Sequence, residues 1–150
     1  MDIQITGLEQ VQRNLAEAPA HIVASGYTKA LDAGIKVIEA EVAARTPVQV
    51  EDYGLHQESG SLLDHIMTTV EIDSSLRGGV AKVGFGKYGQ VANWVEYGHR
   101  QVTHQPGKRE VGFTPAHPFM RPALAAAADA AIEAFAETLA ASLEAAVNHG

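Results

Sequence analysis

Cysteine is absent from the 150 residues. That excludes disulfides and thiolate metal sites, and it predicts a reducing compartment. Long apolar runs are also missing. The longest, Ala123–Ala128, is mostly alanine and ends at Asp129, too short to span a bilayer. The opening Met1-Asp2-Ile3-Gln4 has no basic stretch followed by an apolar one, so no signal peptide is expected. Basic residues are scarce: 11 Lys and Arg stand against 18 acids, for a net charge of -7. Gripping phosphate needs clustered Lys and Arg, so an acidic chain is a poor nucleic-acid binder. What remains is 46% hydrophobic and 19% charged, the balance of a globular chain rather than a disordered one. The length suits a single domain spanning 1–150, with a core of useful size.

Thr6-x-x-Glu9 reads as a capping box, in which hydroxyl and carboxylate each satisfy a free amide at a helix start. Leu8, Val11 and Leu15 follow at helical spacing and predict a short helix over 7–17. Pro19 breaks it and suits the first turn of the next helix. Tyr27, Leu31, Ile35, Ile38 and Val42 draw one apolar stripe along a helix over about 20–45. Asp32 with Lys36, and Glu41 with Arg45, are i,i+4 pairs on its wet side. Thr46-Pro47 ends it, because the residue before proline avoids helical backbone.

Residues 48–60 have no sustained period and read as a long exposed loop. Its part from 48 to 59, carrying Tyr53, His56 and Glu58, is expected to be mobile in the free chain and ordered by a partner. Leu62–Asp73 is rich in β-branched residues and predicts mainly strand. Arg77-Gly78-Gly79 turns the chain, and Val80–Phe85 pairs back. Gln90–Tyr97 predicts a short helix closed by Gly98. Arg100–His104 and Arg109–Thr114 flank Gln105-Pro106-Gly107-Lys108, a type II turn pattern, and predict a small hairpin. Pro115, Pro118 and Pro122 forbid helix before about 119. From there Leu124, Ala128, Ala131, Ile132, Phe135, Leu139, Leu143 and Val147 predict one apolar stripe on a helix to the C-terminus. The fold class is therefore α+β, with a long helix at each end packed on a mostly antiparallel sheet.

Candidate chemistry is thin. Gly84-x-Gly86-x-x-Gly89 matches a dinucleotide fingerprint and follows a predicted strand. It lacks the long helix and the βαβ unit that hold a pyrophosphate, and reads as a glycine-rich turn. Among the seven histidines, neither His56 and His65 nor His99 and His104 has the i,i+4 helical spacing of a zinc hydrolase, so the loop histidines are expected to be solvated. Ser59 and Ser61 near Asp64 and His65 make no nucleophile elbow. Arg100, Lys108 and Arg109, with His99 and His104, form one small basic cluster on the predicted hairpin, suited to an acidic neighbour or to ordinary loop charge. Asp129, Glu133 and Glu137 recur every four residues on the last helix, and residues 123–150 contain four acids and no Lys or Arg. The stripe reads as a solvated helix face or, alternatively, as a wall lining an acidic channel or facing a basic partner. Glu96 and Arg121 each stand alone as a charge within an apolar segment. An unpaired buried charge is costly, so the two are expected to meet, within or between subunits.

Three spaced segments carry a resemblance. Arg45-Thr46-Pro47, then Gly60-Ser61-Leu62-Leu63-Asp64-His65-Ile66, looks like a helix end, a variable loop and a Gly-x-Leu start to a sheet. Val91-Ala92-Asn93-Trp94-Val95-Glu96-Tyr97-Gly98 is similar to a Tyr-Ala-x-x-Val-Glu-Phe-Gly motif. Pro118-Phe119-Met120-Arg121-Pro122-Ala123-Leu124 is similar to a Pro-Phe-x-Arg-Pro-Ala-Leu lead-in to a last helix. With Ile5-Thr6-Gly7-Leu8, the ordered set resembles the head–tail joining, or tail-completion, family of long-tailed bacteriophages. It departs from that family's pattern at Leu63, Val91 and His99.

The resemblance implies a non-enzymatic subunit of a ring, usually a hexamer, in the virion neck at the top of the tail tube. Such a ring contacts the tail tube protein and the head connector or stopper, and DNA passes through it without specific binding. The resemblance implies no catalysis, cofactor or membrane. The loop residues Tyr53, His56 and Glu58, the basic cluster, Glu96 and Arg121 are then candidate assembly contacts. Alternatives are another neck or minor tail subunit, such as a stopper or tube protein, and, from a different class, a small nucleotide- or metal-binding enzyme using Gly84–Gly89 or the histidines.

Overall fold

Helix α1 (Ala20–Arg45) follows the predicted stripe: Ile35 and Val42 are buried, and Tyr27, Leu31 and Ile38 are half-buried. On its wet side Lys36 sits 2.6 Å from Asp32, and Arg45 donates to Glu41 at 2.7 Å, as the i,i+4 spacing required. The helix ends at Thr46, whose amide and hydroxyl both donate to the Val42 carbonyl, at 2.8 and 2.7 Å. Pro47 has no amide for the Ala43 carbonyl, so the ladder stops there, and the Thr46 amide also leans to that carbonyl at 3.3 Å.

The computed structural model describes residues 20–47, 62–73, 78–103 and 109–148. The predicted helix over 7–17, the loop 48–60 with Tyr53, His56 and Glu58, the turn residue Arg77, and His104 and Lys108 lie outside the described residues.

Leu62–His65 forms one 3-10 turn, and strand β1 (Met67–Ile72) follows. The strand is thus shorter than the β-branched run predicted. It pairs antiparallel with β2 (Gly79–Gly84), from Met67 opposite Gly84 to Ile72 opposite Gly79. Thr68, Val70, Ile72, Ala81 and Val83 share the half-buried face, and the pair packs on α1, where Tyr27 and Leu31 meet β2 at Gly79. Lys82 bridges to Glu71 at 3.0 Å on the outer face. A 3-10 turn (Gly86–Tyr88) leads into helix α2 (Gly89–Tyr97). Strands β3 (His99–Val102) and β4 (Glu110–Thr114) form a second hairpin with a bulge at Gln101/Val102. Among the described residues the antiparallel strands divide into these two hairpins rather than one continuous sheet.

The chain closes with helix α3 (Met120–Asn148), antiparallel to α1 and its main partner. Here the expected stripe is corrected. Leu124 and Ile132 are exposed, and the buried positions are Ala123, Ala127, Ala131 and Leu143, with Phe135 and Leu139 half-buried; the side chain of Val147 lies outside the described ones. The cause is the partner helix. A methyl added at Gly34 would lie 3.0 Å from the Ala131 carbonyl oxygen, and one added at Gly26 would lie 3.0 Å from the Ser142 Cβ. Two backbones that close admit alanine between them and push leucine and isoleucine to the flanks. Beyond this seam, Val42, Phe85, Ala92, Phe119 and Ala123 form the core cluster, with the Phe85 and Phe119 rings edge to face at 5.6 Å. The core thus sits where α1, α2 and the start of α3 converge.

Candidate functional site

The second and third motifs meet at the start of α3. A helix start leaves its first amides without intrahelical partners. No Ser, Thr, Asp or Asn precedes this one; Phe119 stands there. Glu96, on the last turn of α2 and only 3% exposed, supplies the missing acceptor. One carboxylate oxygen accepts from the amides of Phe119 at 2.7 Å and Met120 at 2.9 Å. The other accepts from the Arg121 amide at 3.3 Å and its Nε at 2.9 Å. Pro122 has no amide to satisfy, and Ala123 donates to the Phe119 carbonyl at 3.0 Å. Every amide of the first turn therefore has a partner, and the negative charge lies at the positive end of the helix dipole.

Glu96 and Arg121 were expected to meet, and they do so within one chain. Burial pushes the Glu96 carboxyl up. The Phe119 amide, the Arg121 side chain and the amides of Met120 and Arg121 outweigh that, and hold the carboxyl below its ordinary value of 4.5. The hydrogen bond to Glu96 in turn raises the Arg121 guanidinium. Arg121 stays largely in water, with 62% of its side chain exposed, and lies over the Tyr97 ring at 4.9 Å, a cation–π contact.

Gly98 makes the turn that puts Glu96 there. Its φ is 74°, and an added Cβ would lie 2.6 Å from the Thr114 carbonyl oxygen. Both the backbone and the space demand glycine. The Phe113 ring approaches over Gly98, Trp94 stacks on His99 at 5.2 Å, and the His117 amide donates to the Val95 carbonyl at 2.7 Å. The result is an exposed aromatic surface of Trp94, Tyr97 and Phe113 beside the buried cap.

The other predicted positions are dispersed. Arg100 is exposed and reaches Glu110 at 3.6 Å. The Arg109 amide donates to the Thr103 hydroxyl at 3.1 Å, and its side chain is exposed. Asp129, Glu133 and Glu137 line the outer face of α3, all exposed. Gly84, Gly86 and Gly89 mark a strand end, a 3-10 turn and the start of a nine-residue helix; no parallel strand pair surrounds them among the described residues. The expectation of solvated loop histidines fails at two positions. His65 packs its ring against Tyr88 at 4.1 Å, and His99 is half-buried with its Nδ1 enclosed and unpartnered among the described residues. Both lie at the margin of an element, where neighbouring rings cover them. Among the described residues, no three acidic or histidine side chains converge as a metal site, and no helix is long and apolar enough to cross a membrane.

The triple cap by Glu96 and the aromatic surface went unread in the sequence. A signal for the cap was present: a helix start with Phe119 before it and Pro122 within its first turn has no local acceptor and must borrow one. No protein-family model, curated protein or solved structure matches the chain.

Proposed function

We propose that the chain is a structural subunit of the head–tail junction of a long-tailed bacteriophage, forming a ring that ends the tail tube and joins it to the head connector. The observation that carries this reading is the union of the second and third resembling motifs. Their charged residues, Glu96 and Arg121, serve one structural purpose, so the motifs behave as one unit rather than as separate coincidences. The exposed aromatic surface beside them supports it too, since apolar surface of this kind commonly marks an interaction site.

In this reading the ring takes six copies and stands in the virion neck. Its acidic balance keeps DNA from adhering as it passes, an effect that reaches about 8 Å at physiological salt. Electron microscopy of the purified protein and of isolated tails is the test, and a closed ring at the head-proximal tail end is the expected result. A monomeric mass at high concentration together with bare tail ends overturns the proposal, as does strong, salt-sensitive DNA binding by the assembled ring. Copy number and position within the particle separate a terminator from a stopper or tube subunit.

A further inference from the structure

Two surfaces of this chain complement each other, and the chain's own geometry keeps them apart. The first surrounds Gly98. Tyr97 and Phe113 are 57% and 62% exposed, Arg100 stands opposite Phe113 across the hairpin, and Trp94 is exposed one helical turn before Tyr97. Arg121 closes the edge over Tyr97. Trp, Tyr and Arg are the residues that anchor protein interfaces. The second surface is the outer face of α3. Asp129 and Glu133 are exposed there with no cation paired to them among the described residues, and Ile132 between them is 67% exposed. It is an apolar knob on an otherwise acidic, alanine-rich ridge.

Arg100 and Arg121 each have one acidic partner in the chain, Glu110 and Glu96, yet keep 75% and 62% of their side chains in water, and the second surface is acidic. Arg121 and Glu133 lie on the same rigid helix, separated by about 18 Å at 1.5 Å rise per residue. One chain therefore cannot fold its ridge onto its own patch, and a second copy can.

We propose that the α3 ridge of one copy docks on the Trp94–Tyr97–Phe113 patch of the next, with Ile132 against the rings and Asp129 and Glu133 facing Arg100 and Arg121. The inference rests on the reading of the chain as a self-assembling subunit. The two surfaces differ, so the contact is heterologous. Each added copy leaves one patch and one ridge open, and the series closes into a ring when the rotation per copy allows. Opposed charges at the edge fix the register and speed the encounter, while the rings hold the contact.

Charge reversal tests the pairing. Arg100→Glu disables the patch and Glu133→Arg disables the ridge. Both positions are exposed, and unchanged circular dichroism and melting temperature confirm the fold. Each variant should self-associate at least about tenfold more weakly than the wild type by sedimentation, the scale of losing a good interface contact. Mixed in equal amounts, the two variants should assemble in alternation, because the intact ridge of the Arg100→Glu chain fits the intact patch of the Glu133→Arg chain and the two reversed surfaces pair with each other. The double variant, with both charges reversed in one chain, should recover assembly. Single variants that assemble as well as the wild type, a mixture that stays monomeric, or a double variant no better than the singles each overturn the contact. If wild-type rings cap isolated tails while both single variants assemble normally, this interface falls and the proposed function stands. Bare tail ends with the wild-type chain overturn the function itself.

Discussion

Helix α3 is held at two places in two different ways. Along its length it lies against α1 through small residues, with Gly34 under Ala131 and Gly26 under Ser142. At its start it is seized by Glu96, whose carboxylate takes three amides and one side chain from residues 23 to 25 positions away in sequence. The seam is non-directional: it sets how closely the helices approach and tolerates sliding. The cap is directional and admits one residue as the start of the helix. The seam contributes most of the contact, and the cap supplies register.

The largest expected effect lies where the two meet. Phe119 is buried against Phe85 and Val42, at the first amide of the cap. Phe119→Ala should cost about 3–5 kcal/mol, read by urea denaturation; a loss below 1 kcal/mol would mean the core does not converge there. Next comes the seam. Gly34→Leu drives a side chain into the Ala131 carbonyl and should destabilise by about 1–3 kcal/mol, whereas an unchanged midpoint would show that the helices part freely. The cap follows. Glu96→Ala strands the buried amide of Phe119 and the part-buried one of Met120, and should cost about 1–3 kcal/mol.

Acid sharpens the comparison. The folded Glu96 carboxyl titrates below its ordinary value of 4.5, so near that pH the unfolded chain binds the extra proton and stability falls with acid. The stability gap between wild type and Glu96→Gln should be complete above the ordinary carboxylate value and should shrink as pH drops through the lower folded value. The seam variant should keep a pH-independent gap. A Glu96 gap that persists unchanged in strong acid would show that charge plays no part in the cap. Smallest is the Arg121 contribution, since its side chain is mostly in water, where ion pairs are weak. Arg121→Gln should lower the melting point slightly, and its effect should be non-additive with Glu96→Gln in a double-mutant cycle.

The same contrast explains what was legible in the sequence. Helix α1 could be read because its stripe of large residues, Tyr27 to Val42, faces one direction at helical spacing. The two hairpins could be read from β-branched runs broken by glycine. In α3 the helix was legible and its buried face was not. An alanine-rich segment offers an apolar stripe in several directions, and reading by size favours Leu124 and Ile132, whereas Gly34 of α1 draws in Ala131 and the core cluster around Val42 takes Ala123. Which face is buried is decided by the partner helix, and no periodicity within α3 contains that. The pairing of Glu96 with Arg121 was legible because each is a charge stranded in an apolar motif. The capping of three amides was not, because it joins elements separated by the whole β3–β4 hairpin.

That separation has a consequence for how the molecule can vary. The chain leaves α2 at Gly98, runs out through β3, returns along β4 and is tied back at its base, where His117 donates to Val95 and Glu96 binds the next helix. The hairpin is thus an appendage whose two roots are fastened to each other, and lengthening it costs only the slow growth of loop-closure entropy. A foreign segment set between β3 and β4 should therefore leave the cap and the core undisturbed, and that is where copies of this design can diverge most cheaply.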